Sequence, residues 1–421
     1  MIELRGKYNT AKIFTDLVED TAQGQIIQLM NQEFTKDSII RVMPDVHAGA
    51  GSVIGLVMTI DEFVVPNLVG VDIGCGMLTV PLGLKQDEID FQKLDDAIRA
   101  NIPMGPRLNS QPKYNFIEEI ESTWMYEEYK HKQSSLKYNL ALGTMGGGNH
   151  FIEIDKDEYD NLYLVIHSGS RKFGYDVAKY HQDTAERLLK FNATSYQNEA
   201  AQLIRSLSSQ NRSEEIESAL NELRESGKFT LGIPKELAYL TAEYKEKYLE
   251  DVQVAQKFAT INRERMALDI FDGLELEYPW KMALETRHNY IEFNEDGTGT
   301  LRKGAVAAHE YQMLYIPFSM SEGGVLCEGV GNPDWLESAP HGSGRRKSRG
   351  DADKEIKMED YEKSMDGIFT TSVNENTKDE APQAYKDPDE ILSVLPETVR
   401  ILARLKPIYN IKDSTPRRKY R

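Results

Sequence analysis

The stretch NLYLVIHSGS, residues 161–170, is an apolar run that ends in a glycine turn and carries a histidine near its end. SVIGLVMTI, residues 52–60, is a similar apolar run. Short apolar runs bounded by glycines are typical of buried strands. Such runs are frequent in the first 170 residues, and this character returns after Glu285. We therefore predict buried strands that end in glycine turns in both parts of the chain.

Other segments have helical patterns. EIDFQKLDDAIRA, residues 88–100, predicts one helix, and a long helix is expected after Pro234. From about residue 175 the sequence becomes polar and lacks proline, and Gly227 suits a helix C-cap there. We expect residues 180–232 to form an inserted helical arm. Its apolar residues at helical spacing are Ile216, Ala219, Leu220 and Leu223.

Two further expectations concern Asn262 and the C-terminal part. Asn262 lies on the apolar stripe of the long helix, where a hydrogen-bonded core asparagine and a site residue are equally good interpretations.

The segment 358–386 predicts strands and loops, and DPDEILSVLPETVRILARL, residues 387–405, predicts a closing helix.

The composition excludes several classes of protein. The chain has 421 residues, of which 40% are hydrophobic, and it lacks an apolar run near the ~18 residues that a membrane span needs. The N-terminus, MIELRGKYNT, lacks the basic and apolar regions of a signal peptide. With only two cysteines, Cys75 and Cys327, a disulfide scaffold is not indicated, and a reducing, cytoplasmic location is expected.

The net charge of −18, from 68 acidic and 50 basic residues, argues against a broad non-specific nucleic-acid surface. Local basic patches can still serve short contacts. One such patch is the run Arg345, Arg346, Lys347 and Arg349. The other is the tail Arg417, Arg418, Lys419 and Arg421, for which simple solvation is the commoner outcome.

Four of the eight histidines stand beside glycines or turn residues. They are His47, His150, His167 and His341, and His288 joins them in the segment RHNYIE. A core histidine usually lies among bulky apolar residues, whereas histidines on turns at strand ends are placed to reach into a cleft. We therefore predict that several of them share one site.

The stretch VGVDIGCGM, residues 69–77, adds Asp72 and Cys75, whose spacing across a glycine turn lets both reach one metal ion. The alternative for Cys75 is a buried structural cysteine. A thiolate, a carboxylate and several imidazoles exceed the four ligands of a closed zinc site. This surplus favours two metal ions, or one open catalytic ion.

The loop APHGSGRRKSRG, residues 339–350, predicts a phosphate site. Gly342, Ser343 and Gly344 present backbone N–H groups without bulk, and Arg345 and Arg349 suit bidentate contacts to phosphate oxygens. From spacing alone, His341 there is a general acid, a metal ligand or a nucleophile. GSGRRKS lacks the P-loop spacing, and HEYQM, residues 309–313, is not a zincin motif, so neither class is indicated.

Taken in order, these motifs resemble the RtcB-type RNA ligases, called tRNA-splicing ligases. The matching pieces are MPDVHAGAG, VDIGCGM, GGGNHFIE, HSGSR, RHN, IPFSM, HGSGR followed by SR, DEAPQAYK, and the lysine of RLKPIYNIK. They cover nearly the whole chain except about residues 180–232. The resemblance implies one α+β domain over residues 1–421, built around a mixed β-sheet core.

The resemblance also implies a reaction. Two Mn²⁺ ions and GTP would serve as cofactors, and His341 would attack the α-phosphate of GTP and become guanylylated. The GMP would pass to an RNA 3′-phosphate, itself made from a 2′,3′-cyclic phosphate where needed, and a 5′-hydroxyl end would displace it. RNA is the implied partner, in splicing or repair, and a release-factor-like or activating protein is a further partner that the family suggests.

The same resemblance implies roles for individual residues. Cys75 would bridge the two ions, with Asp72 and His150 on one and His167 and His288 on the other. Arg171, Arg345 and Arg349 would contact RNA or phosphate. Glu153 suits the donors of guanine and Lys412 its acceptors. The nucleotide pocket would comprise Asn149, His150, Phe151, Glu153, His288, Asn289, Pro317, Phe318, Ser319, Met320, His341, Gly342, Ser343, Gly344 and Lys412.

The chain also departs from the family pattern. In PFSMSEGGV, Phe318 and Ser321 replace glycines and Gly324 stands where a serine is common, which indicates a divergent paralogue. These positions would lie beside the guanine base in the nucleotide pocket. Their change motivates an alternative function, that of a metal-dependent RNA-end phosphatase or cyclic phosphodiesterase that does not ligate. A ribosome- or RNA-binding factor that uses the arm and the basic tail is the other alternative.

Overall fold

The computed structural model describes residues 1–226, 228–294 and 296–416. Its α-helices are α1 Asp20–Met30, α2 Phe91–Asn101, α3 Ile117–Glu121, α4 Trp124–Tyr129, α5 Ser135–Asn139, α6 Arg171–Ser209, α7 Ile216–Glu225, α8 Ala242–Gly273, α9 Arg349–Glu355, α10 Met358–Ser364 and α11 Pro388–Leu392. None of the helices in these ranges is long and apolar enough to cross a membrane.

The strands of the described residues alternate with these helices along the chain. They are β1 Ile2–Arg5, β2 Thr10–Ile13, β3 Ile40–His47, β4 Ile54–Ile60, β5 Phe63–Val64, β6 Gly76–Pro81, β7 Phe151–Lys156, β8 Leu162–Ser168, β9 Leu240–Thr241, β10 Leu284–Arg287, β11 Asn289–Phe293, β12 Gly299–Lys303, β13 Ala305–Ala307, β14 Met313–Ser319, β15 Gly323–Gly329, β16 Ser338–Pro340, β17 Phe369–Thr370 and β18 Val399–Ile411.

Two large sheets form the framework. The first has the order β1-β2-β3-β4-β12-β11, and the second has the order β10-β6-β8-β7-β18-β15-β14 with β17 beside β18. Most pairs are antiparallel, but β2 pairs with β3 and β17 with β18 in parallel. The sheets are therefore mixed, and the expected α+β class is confirmed.

Helix α8 joins the cores of the two sheets. Tyr248 and Phe258, in its first half, belong to the core that covers the first sheet. Met266 and Phe271, in its second half, belong to the core under the second sheet. The apolar residues recur every three or four positions, so one helix face buries both sets. One long helix thus fixes the two sheets relative to each other and to the cavity described below.

Asn262 lies between these two halves of α8 and is fully buried. Its side chain accepts hydrogen bonds from the backbone N–H groups of Gly143 and Thr144 at 2.8 and 3.1 Å. It donates to the Thr144 carbonyl, to Ser168 Oγ and to the Gly169 carbonyl, each at 3.1 Å. Of the two interpretations of Asn262, the hydrogen-bonded core residue is the one observed.

Several sequence expectations are confirmed. The two apolar runs form β4 and β8, and the helix expected at residues 88–100 is α2, with the Asp90 carboxylate accepting from two backbone N–H groups at its start. The long helix after Pro234 is α8, and residues 180–226 are mostly helical. Gly227 and the basic tail 417–421 lie outside the described residues. That residues 180–232 are an insertion stays a prediction.

Two expectations for the C-terminal part are wrong in part, although β17 lies within residues 358–386 and α11 within residues 387–405. Residues 358–364 form α10 rather than strand or loop, because Tyr361 is buried and acidic residues occupy the first turn. The closing helix of residues 387–405 is only α11, and β18 begins at Val399. Since β18 lies between β15 and β7, pairing on both sides overrides the helical spacing of its apolar residues.

Candidate active site

A cavity of about 590 Å³ opens between the ends of the two sheets. It brings together almost all of the predicted site residues, which lie far apart in the sequence. Those lining it are Asp72, Cys75, Asn149, Phe151, Glu153, His167, His288, Asn289, Pro317, Phe318, Ser319, Met320, His341, Gly342, Ser343, Gly344, Arg345, Arg349 and Lys412. His150 and Arg171 line an adjoining opening that shares Asp72 and Asn149 with the cavity.

Five side chains form what we call the ligand cluster: Asp72, Cys75, His150, His167 and His288. One set of ligand atoms, from Cys75, His167 and His288, lies within 4.8 Å of one another. A second set, from Asp72, Cys75 and His150, is equally compact. Cys75 belongs to both sets, so its Sγ lies within reach of all four other side chains.

The orientation of the rings supports a cation in the ligand cluster. His150 Nδ1 donates to the Met145 carbonyl at 3.0 Å, closer than the Arg171 guanidinium at 3.4 Å. His150 Nε2 is then an acceptor, yet it lies 3.0 Å from the Asp72 carboxylate and 3.5 Å from Cys75 Sγ. With the only proton on Nδ1, these acceptors would repel one another, and either a second proton on Nε2 or a metal ion between them removes the repulsion.

His167 has the same arrangement. Its Nδ1 donates to the Asn149 carbonyl at 3.1 Å, so its Nε2 presents a lone pair. That Nε2 lies 3.3 Å from Cys75 Sγ and 3.3 Å from His288 Nε2. Backbone carbonyls thus fix the tautomers of two rings and aim both at Cys75, which is how metal-binding histidines are usually held.

Burial shifts the pKa values in the ligand cluster. Burial and the charge of Asp72 raise the pKa of the Cys75 thiol well above its ordinary value. Burial lowers the pKa of His167 and of His288 well below the ordinary value. Burial alone would raise the pKa of Asp72, but the bond to His150 and the Arg171 charge lower it. The imidazoles of His167 and His288 are therefore neutral and ready to ligate, and a thiolate at Cys75 needs a cation beside it.

Tight turns bring Asp72 and Cys75 to the cluster. The Cys75 N–H donates to the Asp72 carbonyl at 3.1 Å. Gly74 between them has φ +75°, and a Cβ there would lie 2.9 Å from the Ala259 side chain, so glycine is required. The buried Arg263 guanidinium donates to the carbonyls of Gly74 and Ser168 at 2.8 and 2.6 Å. Arg263 therefore ties both ligand-bearing turns to α8, although the sequence gives no signal for it.

His341 is oriented by a residue that the sequence analysis did not single out. The fully buried Asp45 carboxylate accepts from His341 Nδ1 at 2.6 Å and from its backbone N–H at 3.1 Å. The register of β3 against β4 shifts between Val42 and His47, and this irregularity contains Asp45. Because Nδ1 holds the proton, Nε2 of His341 carries the free lone pair. The rings of His341 and His288 lie 5.0 Å apart.

The loop after His341 packs closely against Asp45. Gly344 has φ +72°, and a Cβ at this position would lie 2.3 Å from the Asp45 carbonyl oxygen. Glycine is therefore required at position 344 both by the positive φ and by the lack of room for a side chain. The loop contributes to the cavity wall from Gly342 to Arg349.

Arg345 and Arg349 do not project freely into the cavity as the sequence suggested. They converge on Asp379 and Glu380, which we call the acidic pair. Arg345 donates to the Asp379 carbonyl at 2.7 Å, and Arg349 contacts both carboxylates, that of Asp379 at 2.8 Å. Burial alone would raise the pKa of Glu380, but Lys412, Arg349 and Arg345 lower it to about 2. A phosphate contact by these arginines would add to, or compete with, this ion-pair network.

The guanine side of the predicted pocket is also buried. Glu153 is 2% exposed and accepts from Asn410 Nδ2 at 2.5 Å. Burial and the charge of Asp155 raise the pKa of Glu153 well above its ordinary value, and Lys412 opposes this rise. Phe318, a departure from the family pattern, packs with Ile316 and Val325 in a hydrophobic cluster while still bordering the cavity.

Comparisons with known proteins agree with this architecture. A family model described as tRNA-splicing ligase RtcB matches residues 25–413. RNA-splicing ligase RtcB of Escherichia coli K12 is 31% identical over 94% of this chain and 95% of its own length. tRNA-splicing ligase RtcB of Nanoarchaeum equitans is 27% identical over 96% of this chain and 94% of its own length. The RtcB of Aeropyrum pernix is 27% identical over 87% and 86%.

The class of protein defined by these comparisons is the RNA ligases. Within this class, the chain belongs to the family of tRNA-splicing ligase RtcB. The resemblance and the enzyme class expected from the motifs are therefore confirmed.

Proposed function

We propose that the chain is a GTP- and Mn²⁺-dependent ligase that joins RNA 3′-phosphate or 2′,3′-cyclic phosphate ends to 5′-hydroxyl ends through a guanylylated His341. RNA splicing or repair is the expected setting. One observation carries the proposal: Asp45 holds the His341 ring with Nε2 free, beside a ligand cluster that is complete without it.

His341 is suited to nucleophilic attack. Its Nε2 would attack the α-phosphorus of GTP, forming an N–P bond as the bond to pyrophosphate breaks. The Nδ1 proton stays on the ring, where the Asp45 carboxylate at 2.6 Å stabilises the positive charge that develops. An RNA 3′-phosphate oxygen would then displace His341 from phosphorus. The 5′-hydroxyl of the second RNA would displace GMP and seal the strand.

The remaining residues bind and orient. The ligand cluster would hold two Mn²⁺ ions, which supply positive charge to the phosphate oxygens at the transferring phosphorus. Backbone N–H groups of the loop 342–344 suit the same oxygens. An ionised Glu153 would accept from guanine N1–H and its amino group, and Lys412 would donate to the guanine acceptors. Arg171, at the adjoining opening, suits an RNA phosphate.

The direct test is incubation with Mn²⁺ and α-labelled GTP, followed by a search for an acid-labile protein adduct. We expect wild type and His131→Ala to become labelled, because His131 is exposed and outside the cavity. His341→Ala should take no label. Labelled His341→Ala would refute the assignment. Unlabelled wild type that still opens a cyclic phosphate would instead establish the phosphatase or phosphodiesterase alternative.

A further inference from the structure

His309 lies outside the ligand cluster and the main cavity, two residues beyond β13. Both of its ring nitrogens face carboxylates. Nε2 lies 2.7 Å from Glu292 Oε1 on β11, and Nδ1 contacts the carboxylate of Glu337, which precedes β16. His309 therefore bridges Glu292 and Glu337, which are 45 positions apart in the chain.

Both contacts are hydrogen bonds only when the ring is protonated. An imidazolium has two N–H donors, whereas a neutral imidazole has one donor and one lone pair. An ionised carboxylate can only accept. Loss of the proton would thus leave one carboxylate facing a lone pair, and one of the two links would open.

The charges around His309 come from three other segments: Glu292 on β11, Glu337 before β16 and Arg302 on β12. The buried Arg302 donates from Nη1 to Glu292 at 2.6 Å and from Nε to Ser338 Oγ at 2.9 Å. Burial alone would raise the pKa of Glu292, but Arg302 and His309 lower it. Glu292 therefore stays ionised near neutral pH, and the protonation of His309 decides whether both links can form.

Strands β13 and β16 form a two-stranded ribbon. The contact between His309 and Glu337 lies at one end of this ribbon, and His341 follows its other end. Strand β13 pairs with β16 in the register Ala305↔Pro340, Val306↔Ala339 and Ala307↔Ser338. At one end the Ala308 N–H donates to the Glu337 carbonyl at 2.7 Å. At the other end Pro340 leads directly into His341, and a Cβ on Gly304 would lie 3.2 Å from His341 Cε1.

The chain just before β16 needs such a clamp. Leu336 and Glu337 have φ values of +50° and +46°, a left-handed conformation that costs free energy in residues with a side chain. Such a conformation persists only where surrounding contacts hold it. The contacts here include the bond from the Glu337 N–H to the Asn332 carbonyl at 2.9 Å, the contacts of Arg302 with Ser338 and the Leu336 carbonyl, and the contact of His309 with the Glu337 side chain.

We propose that His309 is a positioning residue for His341: its protonated ring clamps the far end of the β13–β16 ribbon, and deprotonation, which removes one of the two links of the ring, loosens the clamp. The clamp stands on the geometry of the ribbon, while its effect on catalysis rests on the proposed role of His341 as nucleophile. A metal site is not the better interpretation, since the two carboxylates lie on opposite ring nitrogens.

The direction of the pH effect follows from the contacts. Burial alone would lower the pKa of His309, but the bonds to Glu337 and Glu292 raise it above its ordinary value. A histidine whose pKa is raised by folding stabilises the fold fully below the unfolded value of about 6.5. That stabilisation is lost as the pH rises through the higher folded value. The clamp therefore loosens as the pH rises from about 6.5 through the folded-state pKa of His309.

The first experiment compares thermal unfolding midpoints of wild type and His309→Gln from pH 6 to pH 9, with exposed His131→Gln as the matched control. We expect the midpoint gap between wild type and His309→Gln to be largest at pH 6 and to narrow as the pH rises towards 9, and His131→Gln to follow wild type. A gap that is equal at every pH, or absent at every pH, would overturn the clamp. This result does not depend on any catalytic activity.

The second experiment measures the rate of GMP attachment over the same pH range in wild type and Glu337→Gln. The amide of Gln can donate to a neutral imidazole, so this variant should keep its clamp at high pH. We expect the ratio of the wild-type rate to the variant rate to fall several-fold from pH 6.5 to pH 9. A constant ratio would refute the link from His309 to His341. If wild type takes no label at any pH, the proposed function fails, and the unfolding series still decides the clamp.

Discussion

The ligand cluster and Glu380 of the acidic pair border the same cavity, but their charges are balanced in different ways. In the ligand cluster, the Asp72 carboxylate and His150 Nε2 lie 3.0 Å apart, and only a proton on Nε2 or a metal ion makes this contact favourable. In the acidic pair, Glu380 is met by Arg349, Arg345 and Lys412 of the chain itself. The ligand cluster needs a cation from outside the chain. The acidic pair is balanced by cationic side chains of the chain itself.

This difference predicts different responses to the same kind of change. A buried charge whose partners are all within the chain contributes to folding, and removing it leaves those partners uncompensated. A set of acceptors built for an external cation contributes to folding only when the cation is bound. The comparison can therefore be tested by stability measurements with and without manganese.

The largest effect is expected for Glu380→Gln. Removing this 2% exposed carboxylate leaves Arg345 and Lys412 without their buried partner, so the free energy of unfolding should fall by about 3–5 kcal/mol. Chemical denaturation without metal would measure it. The variant should still be stabilised by manganese. If it unfolds at wild-type denaturant concentrations, the acidic pair is not an internally balanced cluster.

Acid should reproduce this loss in wild type. Folding lowers the pKa of Glu380 to about 2, so its contribution is present above the unfolded value and is lost as the pH falls from about 4.5 towards 2. The contribution is about 3 kcal/mol. We expect the difference in unfolding free energy between wild type and Glu380→Gln to shrink by that amount over this range. A difference that is independent of pH would contradict the assignment.

Manganese should stabilise wild type by about 2.7 kcal/mol at a free concentration about 100-fold above its dissociation constant. Cys75→Ala should lose this response, because both sets of ligand atoms contain Cys75. Cys327→Ala is the matched control, since Cys327 is also a buried free cysteine but lies outside the ligand cluster. Thermal unfolding with manganese and with a chelator would measure both. Equal responses in the two variants would place the ion elsewhere.

The smallest effect is expected in the helical arm. Phe191 on α6 is 71% exposed, so Phe191→Ala should change the free energy of unfolding by less than about 0.5 kcal/mol with or without manganese. Denaturation of this variant gives the baseline for the comparison. A larger loss would show that the arm is covered by another part of the protein or by a second molecule.

The sequence predicted the ligand cluster better than the acidic pair for a physical reason. Ligand residues stand on glycine turns at strand ends, and such turns are recognisable from local sequence. Asp45, Arg263 and Glu380 act through contacts with residues far away in the chain. Asp45 and Glu380 lie in the matching stretches MPDVHAGAG and DEAPQAYK, but the sequence assigned neither residue a role, and Arg263 lies in none of the matching stretches. The sequence predicted phosphate contacts for Arg345 and Arg349, and these stay a prediction; it did not predict their acidic partners at 379–380, which only folding brings to them.

The same distinction explains the errors in secondary structure. Strand β8 and helix α2 follow from local patterns and were predicted correctly. Strand β18 has apolar residues at helical spacing, and only its neighbours β15 and β7 make it a strand. The family resemblance supplied the mixed sheet and the set of site residues, which composition and periodicity alone left open.

The central claim is that His341 is the nucleophile and that the ions are held without it. One variant tests both halves in a single preparation: His341→Ala is assayed for manganese-dependent thermal stabilisation and for labelling by α-labelled GTP. The account predicts wild-type stabilisation by manganese and no label. Loss of the manganese response would make His341 a metal ligand, and retention of label would place the nucleophile elsewhere, so either result would contradict the account.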